Sequence, residues 1–229
     1  MTAKHQISAA VFDLDDTLYA ERDYVASGYR AVSDYLRDSL SRREDFAAWL
    51  WQRFLAGKTA KAFDAMSEHF DLKLDAAQLA HLVKIYREHR PIIRPIDGMI
   101  ELLGSLRNRG VRLAILSDGF LPAQQYKLEV LKLAGLMDAV IFTESLGRQF
   151  WKPSPAAFET LAVKLALPHS SCLYVGDNPA KDFVAPNALG WRTIQFRFDG
   201  QLHAANPAPP GGAAQETARG LPDLAANIS

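Results

Sequence analysis

The sequence predicts an α/β fold in which a doubly wound parallel sheet carries an inserted, all-helical segment. From about Pro95 onward, apolar strands alternate with amphipathic helices, which favours parallel strands joined by right-handed crossovers. Between about residues 20 and 89 the apolar residues instead recur with a helical period throughout. Acidic residues follow two of the predicted strands, and in open α/β sheets ligands bind at such strand ends.

The composition indicates a globular chain without a charge bias. The sequence has 229 residues, of which 48% are hydrophobic, and a formal net charge of zero; this suits one large or two small domains. Balanced charge gives no electrostatic attraction for nucleic acid. The apolar runs are too short to span a membrane, and residues 1–6 lack the apolar core of a signal peptide. We therefore expect a cytoplasmic protein without nucleic-acid or membrane partners, and the sequence is silent on its oligomeric state.

The first predicted strand ends in an acidic cluster. Residues 7–12 are almost entirely apolar, and Asp13, Asp15 and Asp16 follow directly. Alternation along an extended chain places Asp13 and Asp15 on the same side, facing one crevice. Buried carboxylates are rare unless they are paired or bind a metal. An acidic loop that only caps the next helix is the alternative, but it is a poor explanation for a cluster fused to an apolar strand.

Four amphipathic helices are predicted between about Ala20 and His89. Breaks at residues 57–59 and 71–75 separate them. Aromatic stripes on such helices are typical of packing, so we assign them to a core rather than to a binding surface. The apolar faces, in chain order, are Tyr29, Val32 and Leu36; Phe46, Trp49, Leu50 and Phe54; Phe63, Met66 and Phe70; and Leu79, Leu82, Val83 and Tyr86.

After Pro95 the pattern alternates between helices and strands. Asp97 and Ser154 are expected to cap two of the helices, with Pro155 at the first position of the second one. Another helix is predicted from about residue 122 to 134. The single cysteine, Cys172, lies in an apolar run, so we expect a buried thiol. The strands predicted after the first are residues 111–116, 139–143, 172–175 and, as the last one, 193–196.

The last third of the chain contains three irregular features. Pro186 is expected to kink or break the short helix after Asp182, because an interior proline removes a hydrogen bond. Residues 206–212, rich in Pro and Gly, are expected to form a poorly ordered loop. Residues 221–228 are expected to return as a short final helix.

Further strand ends and helix starts carry polar residues. Ser117 and Asp118 follow the strand 111–116 and offer a hydroxyl and a backbone amide to an oxyanion. Lys152 precedes a capped helix, and Asp177 and Asp182 follow the strand that ends at residue 175. Each has an ordinary alternative explanation, as a turn, a surface lysine or an N-cap. Their fixed order along one chain makes coincidence a poor explanation.

These segments resemble the four motifs of the haloacid dehalogenase-like (HAD) hydrolase superfamily, most of whose members are phosphatases. The motifs read D-L-D-D-T, S-D-G, K-P and G-D-N-P-A-K-D, and the resemblance extends from residue 7 to about 198. It implies a Rossmann-like core domain formed by residues 1–19 and 93–229 and a helical, type-one cap domain formed by residues 20–92. Departures from the pattern at Asp97, Trp151 and Pro186 affect helix geometry rather than chemistry.

The resemblance also implies roles for the core residues. Asp13 would attack phosphorus to give an aspartyl-phosphate, and Asp15 would protonate the leaving oxygen and then deprotonate water. Ser117, the backbone amide near Asp118 and the ammonium of Lys152 would bind the phosphate oxygens. When two carboxylates lie close together, one tends to stay ionised and the other tends to take up a proton. This suits one nucleophile and one acid/base group.

A metal ion is implied by the same motifs. Mg²⁺ prefers oxygen ligands, and Asp13, Asp177 and the backbone carbonyl of Asp15 would hold it. Asp182 would orient metal-bound waters or Lys152. The implied function is Mg²⁺-dependent hydrolysis of a small phosphomonoester metabolite, for example a sugar phosphate, a small phosphorylated acid or a nucleoside monophosphate.

Other readings of the motifs stay open. A phosphomutase of the same superfamily would retain all of these residues. A non-catalytic protein that binds a phosphorylated metabolite could retain the fold, although such a protein usually shows a damaged motif. A dehalogenase of the superfamily lacks the second aspartate of the first motif, so Asp15 argues against that activity. The core motifs handle only the phosphate, so they do not identify the substrate.

Overall fold

The computed structural model describes residues 7–228, which form two compact units. The core unit contains the described residues up to Glu21 and from Arg94 onward, and the helical unit is Arg22–Ile93. Within residues 7–228, no helix combines the length and the apolar character needed to cross a membrane.

The core unit contains a six-stranded, all-parallel sheet with the strand order β3-β2-β1-β4-β5-β6. Because the order reverses at β1, the sheet is doubly wound and the predicted fold class is confirmed. A ligand crevice forms at such a reversal, outside the carboxyl ends of the strands. The strands are β1 (Ala9–Phe12), β2 (Arg112–Ser117), β3 (Ala139–Phe142), β4 (Cys172–Gly176), β5 (Arg192–Arg197) and β6 (Glu216–Arg219).

The register of β1 aligns the motif-bearing strand ends. Phe12 pairs with Ile115 of β2 on one side and with Val175 of β4 on the other. The N–H of Asp13 still donates to the carbonyl of Val175, at 2.9 Å. β1 and β4 are buried along their whole length, including Cys172 as expected, because helices cover both faces of a parallel sheet.

The helical unit consists of α1 (Glu21–Leu40), α2 (Phe46–Leu55), α3 (Ala62–His69) and α4 (Ala76–Glu88). The prediction of four helices without a strand in this segment is confirmed. Asp75 and Gln78 form a capping box that begins α4. The predicted apolar faces meet in one cluster, whose fully packed members are Val25, Tyr29, Val32, Leu36, Phe46, Leu50, Phe63, Met66 and Leu82.

The core helices pack against the sheet. Phe158 and Leu161 of α7 (Ala156–Lys164) join a buried cluster with Tyr174 of β4 and Trp191, which precedes β5. The indole of Trp191 donates to Nδ1 of His169 at 2.7 Å, so its polar atom is satisfied. The core helices are α5 (Met99–Asn108), α6 (Leu121–Leu131), α7 (Ala156–Lys164), α8 (Val184–Ala188) and α9 (Leu221–Ile228), the last as predicted.

Two helix starts differ from the prediction by one residue. Gly98, rather than Asp97, is the N-cap of α5, with φ +82°, a left-handed conformation that glycine adopts without steric cost. α7 begins at Ala156, so Pro155 is the cap residue and not the first helical one. Ser154 still contributes, because its Oγ accepts from the Ala156 N–H at 3.4 Å.

Pro186 does not kink or break a helix, so that prediction is wrong. α8 begins at Val184, which places Pro186 in the first turn. The N–H groups of a first turn have no partner within the helix, so a proline removes no hydrogen bond there.

The segment after β5 departs most from the prediction. β5 is not the last strand, because β6 pairs with it in parallel at the sheet edge. Only Ala218 of this strand is buried, so its sequence shows no apolar pattern. Residues 206–212 form a loop as expected, but the loop is tied down: Nδ2 of Asn187 donates to the carbonyls of Gly211 and Ala213, at 2.9 and 2.8 Å.

Gly28 of α1 is required by close packing inside the helical unit. A Cβ at this position would lie 2.5 Å from the ring of Tyr86. That ring is itself packed against Tyr24, Tyr29 and Phe63, so it has little room to move away.

We expect Gly28→Ala to destabilise the helical unit by about 1–2 kcal/mol, because overpacking typically costs about 1–3 kcal/mol. Helix propensity favours alanine by only about 1 kcal/mol. Urea unfolding followed by circular dichroism measures the effect. Gly104→Ala in α5 is the matched control. No atom of the described part of the chain lies within 4 Å of its Cβ position, so stability should rise by about 0.5–1 kcal/mol. A Gly28→Ala protein that is as stable as the wild type would contradict the packing argument.

Candidate active site

The carboxyl ends of the central strands bring the predicted site residues together. Asp13 follows β1, Ser117 ends β2 and Asp177 follows β4. Lys152 enters from the loop before α7. All four residues are buried, Asp13 with only 3% of its surface exposed, so their charges and hydroxyl must be satisfied by one another or by a ligand.

The ammonium of Lys152 is the centre of this arrangement. Its Nζ lies 2.8 Å from Asp13 Oδ1, 2.7 Å from Asp182 Oδ1 and 2.9 Å from the Tyr174 hydroxyl, and its side chain is 0% exposed. Three acceptors match the three ammonium hydrogens. Burial lowers the pKa of Lys152, but the two carboxylates outweigh it and hold the pKa well above its usual value. The lysine is therefore charged.

Asp13, Asp177 and Asp182 form a carboxylate cluster. One oxygen from each lies within 4.8 Å of the others. Burial, then repulsion from Asp182 and Asp13, raises the pKa of Asp177 to about 10. Burial raises the pKa of Asp13 to about 6, against the attraction of Lys152. With all three carboxylates ionised, the cluster would hold more negative charge than Lys152 alone balances.

Asp177 is the member of the cluster whose side chain is incompletely satisfied. Its Oδ2 is buried and has no hydrogen-bond partner among the described residues. In contrast, both oxygens of Asp182 are engaged, Oδ1 by Lys152 and Oδ2 by the N–H of Asn178 at 2.8 Å. Gly176 makes room for this contact, because a Cβ there would lie 2.6 Å from Asp182 Oδ2. An orphaned carboxylate oxygen beside further carboxylates fits a hard divalent cation.

The side chain of Asp15 has a different set of partners. Its Oδ1 lies 2.7 Å from Lys127 Nζ, its Oδ2 accepts from Gln124 Nε2 at 2.8 Å, and the Tyr19 hydroxyl donates to Oδ1. Burial raises the pKa of Asp15, but the Lys127 charge and these hydrogen bonds outweigh it and place the pKa below its usual value. The carboxylate is thus ionised and held by three donors.

The loop after β2 is anchored by the carboxylate of Asp118. This group accepts from Thr143 Oγ1 at 2.7 Å, from the Lys152 N–H at 3.1 Å and from Lys181 Nζ at 3.2 Å. Burial raises the pKa of Asp118, but Lys152 and Lys181 outweigh it and the pKa lies below its usual value. Since the Asp118 carboxylate already accepts from these three donors, the backbone N–H groups are the part of this loop that is suited to bind an oxyanion.

The loop between β5 and β6 is hydrogen-bonded to the loops that carry Asp16 and Asp177. The sequence did not predict this contact. Asp16 accepts from the N–H groups of Leu202 at 2.6 Å and of Glu21 at 2.8 Å. Gln201 donates to the carbonyl of Asp16 at 2.7 Å. Gln195 of β5 bridges the carbonyls of Asp177 and Ala204, both at 2.9 Å. This loop therefore holds the backbone of the first and fourth motifs in place.

Sequence analysis missed several residues that contact the predicted site. Thr143 and Tyr174 lie in apolar strand segments, where nothing in the sequence marks them as polar contacts. Lys181 lies inside the fourth motif without an assigned role. Gln124 and Lys127 did carry a signal: they are three residues apart on α6 and buried, so polar residues occupy the stripe of a helix that should be apolar.

Comparisons with known proteins identify the family of the chain. Residues 7–190 match the family model of the haloacid dehalogenase-like hydrolases. The chain is 27% identical over 204 residues to a glyceraldehyde 3-phosphate phosphatase of Methanopyrus kandleri, covering 83% of this chain and 84% of that protein. It is 26% identical over 207 residues to haloacetate dehalogenase H-2 of Moraxella sp. (strain B), covering 85% of this chain and 89% of that protein.

A solved structure shares the fold. The HAD-hydrolase YfnB of Bacillus subtilis, determined with bound magnesium, matches with a TM-score of 0.70 and 22% sequence identity, covering 98% of this chain and 99% of that one. At this identity the likeness concerns the fold alone. The family match spans the first strand, the helical segment and all four motifs. The chain therefore belongs to the haloacid dehalogenase-like hydrolase family, as its motifs predicted.

Proposed function

We propose that this hydrolase is a phosphatase that cleaves small phosphomonoesters through an aspartyl-phosphate on Asp13. The observation that carries the proposal is the pair of differently held carboxylates, Asp13 bound to Lys152 and Asp15 bound to Lys127. In the proposed mechanism, Asp13 would be the nucleophile and Asp15 the acid/base group. The similarity to a glyceraldehyde 3-phosphate phosphatase supports a sugar phosphate or a related small ester as the substrate.

The chemistry of the leaving group favours phosphatase over dehalogenase activity. A halide departs as a stable anion, so a dehalogenase needs no general acid. An alkoxide leaving from a phosphate ester requires a proton. A partly buried carboxylate two residues after the nucleophile, held in place by three donors, supports ester cleavage.

The proposed reaction has two steps. An oxygen of Asp13 forms a bond to phosphorus while the ester oxygen leaves and takes a proton from Asp15. Asp15 then removes a proton from water, which attacks phosphorus and restores the Asp13 carboxylate. Substrate binding places a phosphate anion near Asp15, and a like charge raises the pKa of a carboxyl group. The substrate itself therefore favours the protonated form that the first step needs.

Phosphate binding is assigned to groups around these carboxylates. The Ser117 hydroxyl and the backbone amide at Asp118 would donate to phosphate oxygens, and the charge of Lys152 would offset the charge on the phosphate and on Asp13. Lys152 also restrains Asp13, because it is held at its other hydrogens by Asp182 and Tyr174. Fixing the nucleophile in this way reduces the entropy lost on reaching the transition state.

We infer that Asp13, Asp177 and the carbonyl of Asp15 would hold Mg²⁺. The buried Oδ2 of Asp177, which has no hydrogen-bond partner within residues 7–228, supports this donor set. Asp182, whose oxygens are both occupied, would act by positioning Lys152. When bound, the cation would screen the repulsion between the Asp13 carboxylate and the anionic phosphate.

We propose that the helical segment, residues 20–92, is a cap domain that selects the leaving group. The helical unit has a polar cleft of about 770 Å³ between α1 and α2, and the Arg22 guanidinium lies 5.5 Å from the ring centre of Trp51 in its wall. Exposed Arg30 and Arg37 also line it. Guanidinium groups bind hydroxyl and carboxylate oxygens, which are typical substituents of phosphorylated metabolites.

Asp13→Asn should abolish phosphate release from a panel of small phosphomonoesters, a loss of several orders of magnitude, because the amide cannot form the covalent intermediate. EDTA should stop wild-type turnover and Mg²⁺ should restore it. Asp97→Asn, in an exposed carboxylate of the core unit, is the control and should keep wild-type rates. Substantial turnover by Asp13→Asn would overturn the assigned nucleophile, and full activity after exhaustive chelation would overturn the metal assignment.

Asp177→Asn should stabilise the metal-free protein by about 1–2 kcal/mol, since burial and the neighbouring carboxylates disfavour the ionised form of Asp177, and the proton that it must take up on folding at neutral pH costs free energy. The same change should abolish the rise in melting temperature that Mg²⁺ gives the wild type. Thermal unfolding with EDTA and with Mg²⁺ measures both effects, and Asp97→Asn again serves as the control. An unchanged response to Mg²⁺ would place the ligands elsewhere.

Replacing Arg30 and Arg37 by Ala should change the relative kcat/KM values among phosphomonoesters by about tenfold or more, as expected for lost polar contacts to a substrate. The Mg²⁺ titration should stay the same, because the metal ligands are untouched. Lys73→Ala, at an exposed lysine of the helical unit, is the matched control. If the order of substrates is unchanged in the double variant, specificity comes from the core loops instead.

A further inference from the structure

We propose that Gln124 and Lys127 of α6 are positioning residues for Asp15 and that they couple it to the phosphate-binding loop after β2. The inference rests on the proposed phosphatase function, because it concerns the group that protonates the leaving oxygen. The four motifs include neither residue.

Lys127 fixes one oxygen of the Asp15 carboxylate. Its Nζ lies 2.7 Å from Asp15 Oδ1, and its side chain is only 7% exposed. The same ammonium lies 5.9 Å from the centre of the Tyr19 ring, whose hydroxyl also donates to Asp15. A partly buried carboxylate, with its side chain 19% exposed, that is held by an ammonium and a phenol keeps its position more firmly than one surrounded by water.

Gln124 fixes the other oxygen and links it to the second motif. Its Nε2 lies 2.8 Å from Asp15 Oδ2, 2.7 Å from Ser117 Oγ and 2.8 Å from the Asp118 carbonyl. An amide nitrogen has two hydrogens, so three acceptors share them. One side chain, 1% exposed, therefore joins the proposed acid/base to the Ser117 hydroxyl and to the backbone of Asp118.

Gly119 gives independent support for the path of this side chain. A Cβ at Gly119 would lie 3.1 Å from Gln124 Cδ and 3.3 Å from its Nε2. The backbone there has φ +131°, a region that side chains disfavour. The glycine of the second motif thus leaves the space through which Gln124 reaches Asp15 and Ser117.

The two contacts together restrict both torsions of the Asp15 side chain. With Oδ1 held by Lys127 and Oδ2 by Gln124, neither rotation about Cα–Cβ nor about Cβ–Cγ is possible without breaking a hydrogen bond. Proton transfer requires the donor within hydrogen-bond reach of the leaving oxygen, and small misplacements reduce the rate strongly. Loosening Asp15 should therefore harm the esters whose leaving group most needs a proton.

The test compares phenyl phosphate with p-nitrophenyl phosphate, which have similar shapes but different leaving groups. Phenolate is the more basic and needs protonation, whereas p-nitrophenolate leaves readily without it. For Gln124→Met and Lys127→Met we expect kcat on phenyl phosphate to fall about 100-fold and kcat on p-nitrophenyl phosphate to fall less than about 10-fold, in line with the usual contribution of general acid catalysis. In an Asp15→Asn background, neither change should add to the difference between the two esters.

Matched controls come from the same helix and its end. Gln125→Met and Lys132→Met replace exposed residues and should leave both rates unchanged. Lys127→Met is expected to lower stability, because it leaves the partly buried carboxylate of Asp15 without its ammonium. Gln124→Met keeps the volume and removes no charge, so it provides the test if Lys127→Met does not fold. Melting curves of each variant establish which ones are folded.

The outcomes separate this inference from the proposed function. Equal losses on the two esters, or no loss, in a folded Gln124→Met protein would overturn the positioning role while the phosphatase assignment stands. A further selective loss in the Asp15→Asn background would also overturn it, because the residues would then act independently of Asp15. A wild-type protein that releases phosphate from neither ester would overturn the phosphatase proposal and this inference with it.

Discussion

The buried contact of Lys152 with Asp13 and Asp182 is the interaction on which the rest of the site depends. Two carboxylates cannot be buried side by side without a compensating cation, since the desolvation of each charge costs several kcal/mol, on the order of the stability of a whole domain. The lysine supplies that cation with all three hydrogens engaged. It also joins three distant chain segments, so the position of the nucleophile is set by β1, by the loop before α7 and by the loop after β4 together.

The sheet topology explains why these segments meet. β1 lies between β2 and β4, so the loops that follow all three strands open at the same edge of the sheet. Because the strand order reverses at β1, the connections on its two sides run in opposite directions and leave a crevice between them. The register places Asp13 immediately beyond the last paired residue of β1. Because side chains alternate along a strand, an acidic residue one position earlier or one position later would face the opposite side of the sheet.

Much of this arrangement could be predicted from the sequence because the motif residues are local. Asp13, Ser117 and Asp177 follow apolar strands, and the meeting of parallel strand ends is a general rule. Their partners could not be predicted in the same way. Tyr174 lies in a strand whose sequence is otherwise apolar, and Lys127 lies more than a hundred residues from Asp15, so the contact exists only after the fold has formed.

The fold shows the same division between local and tertiary signals. The four helices of the helical unit have strong apolar periodicity, and all four were predicted. β6 has only one buried residue, so it exists because β5 offers an unpaired edge, not because its own sequence favours a strand. Pro186 was misread because a proline is disruptive or harmless according to where its helix begins, and helix boundaries are the least certain part of a sequence pattern.

Asp13 and Asp15 illustrate how one short segment can carry two chemical roles. They are separated by a single residue, and carboxylates that share one environment would share their protons as a coupled pair. Here each has its own lysine, and the two environments move the pKa values in opposite directions, raised for Asp13 and lowered for Asp15. The group with the lowered pKa is the one to which the proposed mechanism gives the proton. In the absence of substrate that proton is disfavoured, so an arriving phosphate anion must supply the negative charge that retains it. Acid catalysis would then be available only when a phosphate ester occupies the site, which couples the protonation of Asp15 to the presence of its substrate.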